Sequence, residues 1–223
     1  MNQTPWQAAL PELFSALGQT AWMTAWSFVL TLIFGTLLGV ILRLTAPDGM
    51  TPSRIVYSVL GAIVNLTRSL PFLILIIVLI PLTRQIVGTA YGPTAAIVPL
   101  AIGAIPFFAR VVESALREVA QGKIEAALSM GSTTAQTVRK VLLPEAMPGL
   151  VAGATLTLVT LIGYSTMAGA IGGGGVGDFA IRYGYQRFNA PVLIMSVVVL
   201  IVIVQLVQSI GDLIVRSMNH KRG

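Results

Sequence analysis

Glu125-Ala126-Ala127-Leu128-Ser129-Met130-Gly131 is followed, after nine residues, by Val141-Leu142-Leu143-Pro144, a string that reads E-A-A-x3-G-x9-V-x-L-P. Ile124, Ala127 and Leu128 fall at i, i+3, i+4, and so do Val138, Val141 and Leu142, so each half predicts a short helix with one apolar face. Gly131 suits the left-handed position that ends the first helix. Thr133, with Gln136 three residues on, has capping-box spacing and starts the second helix, which Pro144 is expected to end. The expectation is a helix–glycine–helix knob whose small residues, Ala126, Ala127 and Gly131, can enter a cleft on another protein. An ordinary amphipathic linker is the plainer alternative, and it leaves the full spacing to coincidence.

Outward from this stretch the chain turns apolar in both directions. Runs of about 20 apolar residues are the length that crosses ~30 Å of hydrocarbon. Five are expected as membrane spans: Thr20 to Leu42, Val56 to Leu82, Thr94 to Val112, Leu150 to Ile171 and Pro191 to Val215. The fold class is therefore all-α, a polytopic membrane protein, read as a single domain over 1–223 with the knob inside a cytoplasmic loop over 113–148. The start lacks a basic residue before Arg43, unlike a cleaved signal peptide, so the first span is expected to stay.

Charge sets the orientation. With the N-terminus outside, Arg43, Arg54, Arg110, Arg117, Lys123, Arg139, Lys140, Arg216, Lys221 and Arg222 lie on the inner side, and only Arg84, Arg182 and Arg187 on the outer. This positive-inside bias puts the C-terminus and the knob in the cytoplasm. It also accounts for the net charge of +6, so the basic excess is no sign of nucleic-acid binding. With no cysteine and one histidine, His220 in the polar tail, no disulfide or metal ligand set is in view.

Within the spans, Gly35-x-x-x-Gly39 and Gly149-x-x-x-Gly153 let helix backbones approach closely. Pro71 and Pro81 in the second span, and Pro99 and Pro106 in the third, invite kinks. Arg68, in Asn65-Leu66-Thr67-Arg68-Ser69-Leu70-Pro71, is the one charge hard to place at an interface, and it is expected either to anchor a helix or to line a path. Glu113 and Asp212 sit at span ends, where a carboxylate can be solvated. Thr155, Thr157, Thr160, Tyr164, Ser165 and Thr166 predict a polar face of the fourth span toward a passage. The glycine-rich run Gly169 to Gly177, with Gly172, Gly173, Gly174 and Gly175 at its centre, is read as an outer gate, a docking surface or a flexible turn.

Three motif matches fail on context. Gly172-x-Gly174-x-x-Gly177 has no strand before it and no βαβ unit around it. Gly175-Val176-Gly177-Asp178 spells an intramembrane aspartyl protease string, but no second aspartate faces it from a neighbouring span. No phosphate loop of the G-x-x-x-x-G-K-[ST] kind exists, so any ATP must be bound by another chain.

The E-A-A spacing resembles the cytoplasmic coupling loop of ABC importer permeases, departing only by Val141 where the pattern has isoleucine. Arg139 to Leu150, Gly163 to Gly172, Tyr183-Gly184-Tyr185, Arg68-Ser69-Leu70-Pro71-Phe72 and Ala95 to Leu100 resemble the permease subunit of bacterial methionine ABC importers. The resemblance implies a permease of the inner membrane, without enzymatic activity of its own, working as a homodimer with two ATPase subunits that carry ATP and Mg. It also implies a periplasmic or lipid-anchored substrate-binding protein as donor. Glu125, Ala126, Ala127, Gly131, Val141, Leu143 and Pro144 would form the ATPase-coupling loop, and Arg68, Thr160, Tyr164 and Ser165 are candidates for the pathway. A permease for another amino acid or small solute is the alternative. A secondary transporter or channel is disfavoured by the near absence of intramembrane acids and of internal repeats, and an intramembrane enzyme by the lack of a paired constellation.

Overall fold

The computed structural model describes residues 5–220, with side chains from Ala9 to Met218. The described chain is all-helical. Helix α1 spans Pro5–Thr45, about 60 Å at 1.5 Å per residue, so the expected first span is the interior of a longer helix. It packs along α5, Pro93–Arg117, and Gly35 and Gly39 are where the two backbones meet. A β-carbon on Gly35 would stand 2.9 Å from Phe108 Cδ1, and one on Gly39 would stand 2.6 Å from Val112 Cβ. Gly149, in α8 (Leu143–Ala168), faces Ala115 of α5.

The second span corrects the expectation of one helix over Val56 to Leu82. It is broken into α2 (Arg54–Ser69), α3 (Phe72–Val78) and α4 (Ile80–Val87), with α2 and α3 bent by 106°. The cause is local. Pro71 cannot donate to the ladder, and its ring pushes Leu70 out of the helical region to φ −77°, ψ 130°. Pro81 instead sits at the start of α4, where a missing N–H costs nothing. Pro99 and Pro106 break nothing, being buried inside a continuous α5. Among the described residues four helices are long and apolar enough to cross a membrane, and five if the bent α2–α3 pair is one span.

A second correction concerns Pro144, which does not end a helix. After α6 (Gln121–Ser129) and α7 (Thr134–Thr137), the chain widens to a π turn over Val138–Leu142 and runs straight on into α8. The Leu143 N–H reaches back five residues to the Val138 carbonyl. The wider turn moves the carbonyl of the preceding turn away from the Pro144 ring, which is how the helix passes a proline without stopping. Helix therefore runs from Thr134 into the glycine run, as far as the kink where Ile171 and Gly172 leave the helical region. Beyond it, α9 (Gly175–Phe179) and a π turn over Ala180–Tyr185 lead into α10, Ala190–His220.

Polar and apolar contacts sort the loops into two ends. Gln19, Gly92 and Gly172 to Val176 share one end, through hydrogen bonds from Gly175 N–H to Gln19 and from Gly92 N–H to the Gly172 carbonyl. Met50, Val119, Ile124, Val138 and Leu142 share the other, in one apolar cluster around Leu116 and Val112. Large apolar side chains such as Ile33, Leu37, Ile63, Ile201 and Leu206 point outward between the ends, as a lipid or partner environment demands.

Candidate functional site

The knob is built from two caps back to back. Gly131 has φ +84°; its N–H donates to the Leu128 carbonyl at 2.9 Å, and the Ser132 N–H donates to the Ala127 carbonyl at 3.1 Å. That pair is a Schellman motif, which closes the carbonyl end of α6. Thr133 then starts α7 with a complete capping box. The Gln136 N–H donates to Thr133 Oγ1 at 3.3 Å, and the Thr133 N–H donates to Gln136 Oε1 at 2.9 Å. Reversal of the chain therefore leaves no freely hinged residue between the helices.

Ile124 packs in one cluster with Leu116, Leu142 and Ala146, anchoring α6 to the ends of α5 and α8, and Ala127 on the same face is buried too. Lys123 adds an ion pair to Glu145 at 2.8 Å. Leu128 does not join this face as the spacing predicts; it is exposed, and Met130 at the turn is 81% exposed. Glu125, Ala126, Gly131 and Pro144 are exposed as well, while Val141 and Leu143 are half-buried. Met130 is thus a feature the sequence reading missed: a large apolar side chain held out into solvent by a rigid turn.

Glu113 corrects the expectation of a solvated span-end carboxylate. It is 4% exposed and accepts from Tyr57 Oη at 3.0 Å, Arg110 Nη1 at 2.6 Å and Arg117 Nη2 at 3.1 Å. Arg110 continues across to the Gly61 carbonyl at 3.2 Å and Asn65 Oδ1 at 3.1 Å. One buried carboxylate thereby ties α2 to α5 beside the knob.

Of the four pathway candidates, the structure brings two together. Arg68 and Tyr164 border a cavity of about 130 Å³ at the break between α2 and α3, where Phe72 stacks on Tyr164 with centroids 3.9 Å apart. Thr160 and Ser165 are elsewhere, their hydroxyls donating to the Leu156 and Ile162 carbonyls at 2.8 and 2.7 Å. The expected single polar face of the fourth span dissolves. At about 100° per residue, Thr155 and Thr166 share one side, Thr157, Thr160 and Tyr164 another, and Ser165 a third. Thr157 and Ser165 are core residues, at 0% and 1% exposed.

The glycine run is no pliable turn. Gly173, Gly175 and Gly177 are buried, and Gly172, Gly174 and Gly175 take positive φ of 91°, 77° and 81°. A β-carbon on Gly175 would stand 2.6 Å from Thr20 Oγ1. The Val176 N–H donates to that same hydroxyl at 2.9 Å. The run is a wedge seated on α1. Just beyond it Arg182 hydrogen-bonds Asp178, which holds its guanidinium pKa above the ordinary value.

Comparison with known proteins places this geometry. The description "binding-protein-dependent transport system inner membrane component" belongs to the family model that matches residues 33–220. A probable D-methionine transport system permease protein of Vibrio cholerae is 53% identical over 209 residues, 94% of this chain and 93% of that protein. The methionine import system permease protein of Bacillus subtilis is 47% identical over 212 residues, covering 95% and 96%. A chain of the MetNI methionine ABC transporter, solved in an inward-facing conformation, superposes with a TM-score of 0.92 at 47% identity, covering 97% of this chain and 99% of that one. Sharing about half its residues and essentially its whole fold with these permeases, the chain belongs to their family, the binding-protein-dependent transport system inner membrane components, and is a multi-pass transport subunit of the inner membrane.

Proposed function

We infer that the chain is the permease of an ATP-driven importer that moves methionine inward across the inner membrane. Two copies form the passage, two ATPase subunits bind ATP and Mg, and a periplasmic or lipid-anchored binding protein delivers the substrate. The N-terminus is outside and the C-terminus in the cytoplasm, with five crossings. The observation that carries this reading is the knob: an exposed, doubly capped turn presenting Glu125, Ala126 and Met130, fixed to the membrane part through Ile124 and the Lys123–Glu145 ion pair. The methionine assignment is supported by the names of the relatives above and by the MetNI likeness.

The mechanism follows from how the knob is attached. ATP binding draws the two ATPase clefts together, and each knob moves with its cleft. Because α7 continues through the π turn into α8, that motion turns the fourth span as one lever. At the far end of the lever the wedge from Gly172 to Gly175 is keyed to Gln19 and Thr20 of α1 and acts as the outer gate. Switching between the two packings requires only that ATP favour one by a few kcal/mol.

Reconstitution tests the reading. With its ATPase and binding protein in proteoliposomes, the complex should accumulate methionine on addition of ATP, and the loaded binding protein should stimulate hydrolysis. Preferential uptake of an unrelated solute such as phosphate would refute the methionine assignment.

A further inference from the structure

Arg68 stands in the last turn of α2, within the second crossing, and among the described residues it has neither an ion pair nor a hydrogen bond. Arg43 pairs with Asp48, and Arg110 and Arg117 pair with Glu113, whereas Arg54 and Arg216, which have no ion pair among the described residues, stand at the start of α2 and near the end of α10. A cation at membrane depth is costly unless it meets water or an anion. The cavity it borders has no anion in its walls, which besides Arg68 are Thr67, Leu70, Phe72, Leu75, Gly103, Phe107 and Tyr164.

We propose that this cavity is a transit site for the substrate, in which Arg68 binds the α-carboxylate of an amino acid while the aromatic wall receives its apolar side chain. The planar guanidinium suits a carboxylate in two-point contact. The substrate ammonium finds acceptors on the same rim. The Thr67 hydroxyl donates its proton to the Ile63 carbonyl at 2.9 Å and so presents only lone pairs, and the α2 carboxyl end adds its negative dipole. Phe72 and Phe107 offer a thioether the ring contacts that sulfur favours. The stack of Phe72 on Tyr164 holds that wall in place. At about 130 Å³ the site is smaller than the ~300–1,000 Å³ of pockets that hold a ligand durably. A carrier needs such weakness, because a site that held methionine tightly would stall its release.

The proposal rests on the importer reading and is tested apart from it. The permease–ATPase complex, without binding protein, is placed in nanodiscs and its contacts with L-methionine and with methioninol, which lacks the carboxylate, are read by saturation-transfer NMR. Methionine should bind at roughly millimolar level and methioninol about tenfold more weakly, the loss that follows removal of one charged hydrogen-bonding partner. Arg68→Ala should lower methionine to the level of methioninol and leave methioninol unchanged, since the two deletions remove the same contact. Arg68→Lys, which keeps the charge and loses the fork, should retain part of the preference and serves if the alanine variant fails to assemble. Equal binding of both probes by the wild type, no binding of either, or undiminished methionine binding by Arg68→Ala would overturn the site. Separation of Arg68→Ala into single copies, with no discrimination by the wild type, would make Arg68 an assembly residue instead. Methionine uptake by the wild-type complex with its binding protein reads the importer assignment by itself.

Discussion

Gly131 combines φ +84° with open space where a β-carbon would stand, so its importance is conformational and, in the complex, steric. Gly131→Ala should cost about 1 kcal/mol of local stability, the price of a left-handed residue with a side chain. Gly131→Asp should still insert and fold but abolish uptake, because it sets an unpaired carboxylate inside the partner's cleft; normal uptake with unaltered ATPase association would contradict the role given to the knob. Glu113 makes a separate, measurable contribution. Glu113→Ala strands two arginines and a tyrosine, and loss of one member of such a buried cluster costs about 3–5 kcal/mol. A clear drop in the thermal unfolding midpoint in detergent is expected, with Glu113→Gln intermediate. This residue also shows what local pattern leaves out. Its helical neighbours Arg110 and Arg117 are visible at i−3 and i+4, but Tyr57 comes from 56 positions away, and burial at the end of α5 is decided by how α2 lies across it.

Among the elements, prolines with the same chemistry have different outcomes. Pro71 breaks a span, Pro81 begins a helix, Pro99 and Pro106 are absorbed in α5, and Pro144 is passed by a π turn. Local rules say that a proline removes a donor; which response follows depends on what packs nearby, and at Pro71 the response is steadied by Phe72 against Tyr164. The two caps of the knob, by contrast, were legible, because Gly131 closes on Leu128 and Thr133 exchanges bonds with Gln136, all within nine residues of chain. Neither the cavity at Arg68 nor the wedge on α1 was legible in that way, since each joins residues from distant spans. If Pro71 drives the bend, Pro71→Ala should let Leu70 return toward helix and lengthen the distance between spin labels on the exposed positions Val59 and Ile77, read by pulsed EPR. An unchanged distance would mean that tertiary packing alone holds the 106° bend.

The whole molecule, as proposed, is one lever with two ends. The basic loops cluster at the end that carries the knob, and on that ground this end is proposed to lie in the cytoplasm. Single cysteines at the exposed Pro47 and at Ser132 should be shielded from membrane-impermeant thiol reagents in intact cells, while one at Gln186 should react; Ala46, with no exposed surface, would report burial and not sidedness. Labelling of Ser132→Cys from outside would invert the topology.

The absence of native cysteine also permits the most direct test of coupling. Met130→Cys is placed on the tip of the knob in the assembled complex and treated with a short thiol-to-amine cross-linker. A covalent adduct with the ATPase subunit should form, its yield should change on ATP binding, and Gly131→Asp in the same chain should abolish it. An adduct no more frequent than that from a cysteine at Gln186, in a complex that still imports methionine, would contradict the claim that the knob carries the force of ATP hydrolysis into the membrane.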